Sequence, residues 1–496
     1  MNHGLAHPLV YEINTWAWLY ELGQALGREV TLGCVPQEEL QRLAAAGFDA
    51  LWLMGVWQRS PAARQVALND AGLQAEYGRA LPDFGPADVV GSPYAIYRYE
   101  VDASLGGDTE LADLRRRMQA LGLRLILDFV PNHLAIDHPW VAEHPERLVQ
   151  GDETRLRESP GIYFRSPTGA PPPILAHGRD PNFSGWTDTV QLDLRRPETR
   201  QALGELLLDV ARRSDGVRCD MAMLVTREVF LRTWGGTMSP ATAEFWPEAI
   251  ARVKAAHPEF LMLGEVYWDL EYALQQQGFD YVYDKRLYDR LLGDNPVEIE
   301  AHLRAPLDYQ RRLARFVENH DEPRAESHFG PQRHPAAALL ALGLPGLRLV
   351  HEGQLQGRQV RIPVQLRRRP AEPTVAAREA FYGRLLPALR DPIFHQGCWE
   401  LLEPRAERGD NASHRHFVAY QWTLGNECRV VVANLTPDRS QCFLPLRIPA
   451  CAGQRWLLVD VLSATQYRPW AEESLSCGVY LDLPGYGCHL LRLDRQ

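Results

Sequence analysis

Short apolar runs alternate with longer stretches of helical periodicity over about the first 365 residues. The runs are LVYEINTW (9–16), DALWLMGVW (49–57), RLILDFV (124–130), GVRCDMA (216–222), LMLGEVY (261–267), YVYDKRL (281–287), RFVENHD (315–321) and LRLVHEG (347–353). Most are apolar almost throughout, the pattern of parallel strands covered on both faces. Helices are predicted between them. In DTELADLRRRMQALG (108–122), Leu111, Leu114, Met118 and Leu121 recur at helical spacing, with Asp108 as cap and Gly122 as terminator. Another helix starts at Pro197, a favoured first position. Eight strands alternating with helices predict an α/β fold, a (β/α)8 TIM barrel.

Two gaps are too long for a single crossover. One is 58–93; the other, 134–190, contains the Pro/Gly-rich SPTGAPPPILAHGRDPNFSGW and reads as an inserted subdomain. From about residue 395 the period shortens. HFVAYQW, CRVVVANLT, QCFLPLRI, RWLLVDVL, GVYLDL and CHLLRL predict a separate antiparallel β domain over 395–496, reached through a connecting segment, 367–394. The barrel is thus expected from 1–133 and 191–366.

Composition narrows the function. Hydrophobic residues make up 45% of the 496 and charged residues 23%, which excludes a disordered or fibrous chain. The net charge of −10 disfavours a nucleic-acid binder and is indifferent to a neutral ligand. No run reaches the roughly 18–20 apolar residues of a membrane span, and no signal-peptide pattern opens the chain. The eight cysteines form no CxxC pair and no zinc spacing. The expectation is a cytoplasmic protein with reduced thiols.

The active face of such a barrel lies at the C-terminal strand ends. Arg218 and Asp220 alternate onto one face after the fourth strand, where the guanidinium favours an ionised carboxylate. The fifth strand leads into Gly264-Glu265-Val266-Tyr267, the seventh into Glu318-Asn319-His320-Asp321, and the third through Asp128 to Asn132-His133. Carboxylates with nearby imidazoles suit acid/base and nucleophilic chemistry on a polyol. They also suit a divalent metal, or simple salt bridges at the rim.

Taken together, these segments resemble the signature regions of glycoside hydrolase family 13, the α-amylase family. DFVPNH (128–133), GVRCD (216–220), GEVY (264–267) and ENHDEPR (318–324) match its four regions in order. SPYAIYRYEVD (92–102) resembles the segment carrying the family's tyrosine, and PGLRLVHEGQ (345–354) its eighth strand. The insertion 134–190 stands where the family carries domain B, and the β-rich end where it carries domain C. The resemblance implies a retaining α-glycoside hydrolase with Asp220 as nucleophile, Glu265 as acid/base and Asp321 as transition-state stabiliser. It further implies that Arg218 orients Asp220, that His133 and His320 bind hydroxyls, and that Tyr94 stacks on the sugar being cleaved.

Other positions carry plainer expectations. Asp128 is weighed equally as a structural group of the barrel floor. Trp16, Trp18, Trp52 and Trp57 are expected in the core, Cys219 buried, and RRRMQ (115–119) on a solvated helix face. His351-Glu352 is expected at the pocket edge. Two departures from the family stand out. Met223 and Leu224 occupy positions where many members carry Lys-His toward the leaving group, so they should offer it only apolar surface. Gln191 stands where calcium-binding members carry aspartate, so no cofactor is expected and calcium is not favoured. The substrate expected is an oligosaccharide or α-glucan. Hydrolysis is favoured over glycosyl transfer; the alternative of another class is an inactive carbohydrate-binding or scaffold relative.

Overall fold

The computed structural model describes residues 6–167, 171–236, 244–293, 295–406, 409, 411–448, 455–467, 470–471, 475 and 477–495. Eight parallel strands close a barrel in the order β1-β8-β7-β6-β5-β4-β3-β2. They are β1 (Leu9–Asn14), β2 (Ala50–Met54), β3 (Arg124–Phe129), β4 (Gly216–Cys219), β5 (Leu261–Gly264), β6 (Tyr281–Tyr283), β7 (Leu313–Arg315) and β8 (Leu347–His351). Burial on both faces explains their composition: every residue of β1, β2, β4, β5, β7 and β8 is buried.

Seven strands are shorter than the apolar runs predicted, chiefly at the C-terminal end, and β7 instead lies before its run and shares only Arg315 with it. The ladder of β4 stops at Cys219, and Met221 turns to φ 42°. The ladder of β7 stops at Arg315, so 316–321 is not strand. Pairing ends where side chains must turn into the barrel mouth. Past β2, Gly55 adopts φ 78°, and Trp57–Arg59 pairs antiparallel with Ile96–Val101 instead of continuing the barrel.

The helix expected at 108–122 runs Gly107–Gln119. Asp108 therefore lies inside its first turn, where it favours the dipole, and Gly106 is the cap. Leu111, Leu114 and Met118 are buried as predicted. The RRRMQ segment is corrected in part. Arg116 is solvated, but Arg115 reaches Asp215 at 2.6 Å and Arg117 the Val35 carbonyl at 2.7 Å, tying the helix to its neighbours. The helix predicted at Pro197 spans Pro197–Arg213.

The 58–93 insertion forms two helices, Pro61–Asn69 and Ala71–Ala80. Within 134–190, Tyr163–Arg165 pairs antiparallel with Ile174–Ala176, and His133–Ala135 pairs with Thr189–Gln191 at the base. Helix Ala376–Leu389 follows β8 and packs on Gln37–Ala46 and Gly330–Leu342. Beyond it, Cys398–Leu402, Phe417–Leu424, Glu427–Asn434, Cys488–Arg495, Arg455–Asp460 and Trp470–Ala471 form a six-stranded antiparallel sheet. Ser440–Leu444 and Val479–Leu483 form a facing pair, and both sheets share one apolar core. Tyr420 and Trp422 donate to the Leu340 and Gly343 carbonyls at 2.7 and 2.8 Å, anchoring this β domain to the barrel. No helix among the described residues is long and apolar enough to cross a membrane.

Candidate active site

The rim backbone keeps bonding beyond the strands. The N–H of Asp220 donates to the Phe129 carbonyl, that of Glu265 to Cys219, and that of Ala222 to Glu265. The segments after β3, β4 and β5 are thereby held in register where their side chains converge.

Arg218 lies at the centre, with no exposed surface. Its Nη1 donates to Asp220 Oδ1 at 2.8 Å and its Nη2 lies 2.7 Å from Glu265 Oε2. Trp52, Tyr94 and Tyr283 present their rings to the guanidinium at 5.2–5.8 Å. Glu265 Oε2 also accepts from the Met221 N–H at 2.6 Å, which the positive φ of Met221 makes reachable. Glu265 Oε1 meets the Tyr267 hydroxyl at 2.8 Å. Beside Tyr267 opens a cleft of about 490 Å³ lined by Trp268, Asp269 and Lys285, among others.

Electrostatics follow from this packing. Burial pushes Asp220 up to about 7; Arg218 pulls it down and the Glu265 charge pushes it up again. Arg218 thus lies between two buried carboxylates, and the charge on Glu265 is part of what raises Asp220. Asp321 is a contrast. Its side chain is 45% exposed at the barrel mouth, so desolvation raises it only in part, and His320 beside it, followed by Arg218 and Arg361, holds it down at about 2.

His320 Nε2 lies 3.1 Å from Asp321 Oδ2 and 2.7 Å from the Tyr94 hydroxyl. Asn319 Oδ1 accepts from the N–H groups of Asp321 and Glu322, folding the turn that presents Asp321. Glu318 is clamped by Arg324 at 2.6 Å and by the Ala325 N–H. The structure thus brings together Asp220, Glu265, Asp321, Arg218, Tyr94 and His320. His133 bonds to the Tyr94 backbone and packs against Trp186 at 5.1 Å, with burial lowering it to about 4, a neutral ring.

Asp128 is built into the barrel. It accepts from Trp52 Nε1 at 3.0 Å and the Gly55 N–H at 2.9 Å, while its carbonyl accepts from Trp57 Nε1. Trp18, Trp52 and Trp57 are buried, and Trp16 is half-buried. Cys219 is buried, with its thiol pushed well up by desolvation. His351 and Glu352 support the rim from below: His351 meets Arg324, and Glu352 accepts from the Asn14 N–H at 3.0 Å.

One expectation is overturned. Met223 and Leu224 are 0% and 2% exposed in the 3-10 turn Ala222–Val225, so they offer the leaving group no surface at all. Beside Glu265 the apolar surface is that of half-buried Met221 and Tyr267 and of Trp268, which is 38% exposed. Sequence reasoning also missed Glu12, whose signal was a lone acid in an otherwise apolar run.

A closed eight-stranded parallel barrel with buried carboxylates at its C-terminal mouth, an insertion after β3 and a C-terminal β domain defines the architecture of a barrel glycosidase. The family described as "Alpha amylase, catalytic domain" matches residues 36–377, and the chain belongs to the α-amylase family. It is 26% identical over 421 residues to alpha-amylase MalA of Haloarcula japonica, covering 82% of this chain and 53% of that protein. It is 21% identical over 295 residues to alpha-amylase 3 of Dictyoglomus thermophilum, covering 55% of each. The chain thus spans about half the length of these curated relatives. The fold is similar to that of the noncanonic maltogenic alpha-amylase AmyB from Thermotoga neapolitana, with TM-score 0.68, 18% identity and 98% of each chain covered.

Proposed function

We propose that the chain is a retaining α-glycoside hydrolase that cleaves α-glucosidic bonds of short oligosaccharides through a covalent glycosyl-enzyme. The observation that carries this reading is the single guanidinium of Arg218 spanning Asp220 and Glu265. Neighbouring nitrogens of one arginine hold the carboxyl groups close together. That suits the roughly 5–5.5 Å of a retaining pair better than the wider inverting gap.

In the first step Asp220 attacks the anomeric carbon as the bond to the leaving oxygen breaks. Glu265 gives its proton to that oxygen, so an ester and a free alcohol result. In the second step Glu265 takes a proton from water, the hydroxide attacks the same carbon, and Asp220 is released as carboxylate. The pair begins and ends the cycle with one proton between its two carboxyl groups. Glu265 Oε1 is free of Arg218 and accepts from the Tyr267 hydroxyl; it is the oxygen suited to carry the proton, with that hydroxyl turned to accept when it does. Asp321, held ionised, stabilises the positive charge that develops on the sugar. Tyr94, half-buried beside His320, is the stacking surface.

The reaction is proposed to run without a metal. The donor set at the position of the family's calcium ligand does not fit that ion. Gln191 Nε2 donates to the Asn132 carbonyl at 2.8 Å, to Asn132 Oδ1 at 3.0 Å and to the Leu192 carbonyl at 3.2 Å. An amide N–H group thus occupies oxygens that a hard cation needs.

Preference for short substrates is supported by a wall on the Asp321 side of the site. The 58–93 insertion and the β8 loop are joined by the Val90 N–H on the Gln365 carbonyl, the Arg367 N–H on the Asp88 carbonyl, and Arg368 on Asp83 and Asp88. Arg361 of that loop reaches the Asp321 carbonyl at 3.4 Å and Glu76 of the insertion at 3.9 Å. The test is the specificity constant for maltose through maltoheptaose and soluble starch, with product anomers followed by NMR. The α-anomer formed first, with the shorter sugars preferred, is expected. A β-anomer formed first overturns retention, and a steady rise in rate up to starch overturns the short-substrate reading.

A further inference from the structure

Glu12 interrupts the apolar run of β1, and no part of it reaches solvent. It stands in register between Trp52 of β2 and His351 of β8. A buried carboxylate is costly unless donors or a cation meet it. Oε1 of Glu12 accepts from the backbone N–H of His320 at 3.2 Å and from His320 Nδ1. Its Oε2 is buried without a hydrogen-bond partner, so among the described residues His320 supplies the hydrogen bonds to this carboxylate, with His351 as its neighbour in the strand register.

The other edge of the same ring faces the site. Its Nε2 lies 3.1 Å from Asp321 Oδ2 and 2.7 Å from the Tyr94 hydroxyl. An ionised carboxylate only accepts. Carboxylate oxygens stand at both ring nitrogens, an arrangement that favours a proton on each and so the imidazolium form of His320. We propose that Glu12 is a positioning residue for glycoside cleavage: it holds His320 as a cation and, through it, keeps Asp321 ionised and the Tyr94 hydroxyl in place. This rests on the reading of Asp321 and Tyr94 as sugar-binding groups.

The remaining surroundings of the ring agree. Trp52 meets it edge-on at 5.5 Å. Asp128 attracts a charge on His320. His351 is kept neutral, lowered by burial and then by Arg324, so it adds no competing cation. Burial alone would lower His320; Asp321 and Glu12 instead raise it to about 10. A raised histidine stays charged below that value, so the cation persists across the neutral range.

Glu12→Gln keeps the volume and one acceptor oxygen but removes the charge. Loss of one close opposite charge lowers a histidine by about 1–3 units. The ring would then lose its proton inside the working range, leaving an Nε2 lone pair against Asp321. The experiment is ¹⁵N NMR of the histidine rings from about pH 6 to about pH 8.5, with kcat/KM over the same range. The His320 signal is the one missing from His320→Gln. The wild-type ring is expected to stay imidazolium, Glu12→Asp to keep it so, and Glu12→Gln to titrate. The ratio of Glu12→Gln to wild-type kcat/KM should fall with rising pH, roughly tenfold across the range.

A wild-type ring that titrates below about pH 8 overturns the proposal without any variant. So does an imidazolium that persists in Glu12→Gln, or an activity ratio that is low but flat with pH, the mark of a structural role. Failure of the glycosidase reading is distinct: it shows as a wild-type protein with no activity on any glycoside.

Discussion

Replacing Arg218 with methionine keeps an unbranched stem among Trp52, Tyr94 and Tyr283 while deleting the cation that Asp220 and Glu265 share. Burial lifts Asp220 to about 7 even against the pull of Arg218. A close opposite charge is worth about 1–3 units, so its loss raises Asp220 by that much. A nucleophile must be ionised, and a carboxyl group ionises above its pKa. The acid limb of kcat/KM should therefore move up by about 1–3 units, with about a ten- to thousandfold loss at neutral pH that recovers as pH rises. Stability should follow the same sign. Breaking a buried pair costs about 3–5 kcal/mol once the stranded carboxylates are charged, and less while they are protonated. The destabilisation seen by urea unfolding should thus grow as pH rises above about 7, where wild-type Asp220 ionises and the variant resists. An acid limb left in place, or a stability loss independent of pH, would refute the assignment of Arg218 as the shared counter-ion.

Three further outcomes are expected. Asp128→Ala strands Trp52 Nε1 and the Gly55 N–H, each costing about 1–3 kcal/mol. A lower melting temperature checks this, and an unchanged one rejects a structural role. A chelator should leave activity and melting temperature unchanged, because Gln191 already satisfies the oxygens around it; a drop restored by calcium would contradict this. Asp220→Asn and Glu265→Gln should each remain folded by circular dichroism and lose almost all turnover, and near-wild-type rates in either would remove it from the mechanism.

The barrel was legible because burial on both faces writes strands as continuous apolar runs; seven of the eight strands fall within one, while β7 precedes its run and shares only Arg315 with it. Strand ends were less so. Asp220, Glu265 and Asp321 lie past the last strand residues, and nothing in GVRCDMA marks Met221 as the residue that turns left-handed. Local alternation was enough to pair Arg218 with Asp220, two residues apart. It could not show that the same guanidinium reaches Glu265, 47 residues on in sequence, because that contact depends on the register of β4 with β5. Met223 and Leu224 illustrate another limit: apolar identity was plain, but whether they face a ligand or the core depends on the 3-10 turn after Met221. Glu12 was visible as an anomaly in LVYEIN, yet its partner lies more than 300 residues away.

The central claim, a glycosyl ester on Asp220, is tested most directly by trapping it. A fluorinated α-glucosyl fluoride that slows the second step should inactivate the enzyme with time. Mass spectrometry of the digested protein should then find one glycosyl group on the peptide containing Asp220, and none in Asp220→Asn. A label on another residue, or turnover of the reagent with no ester at Asp220, would contradict the account.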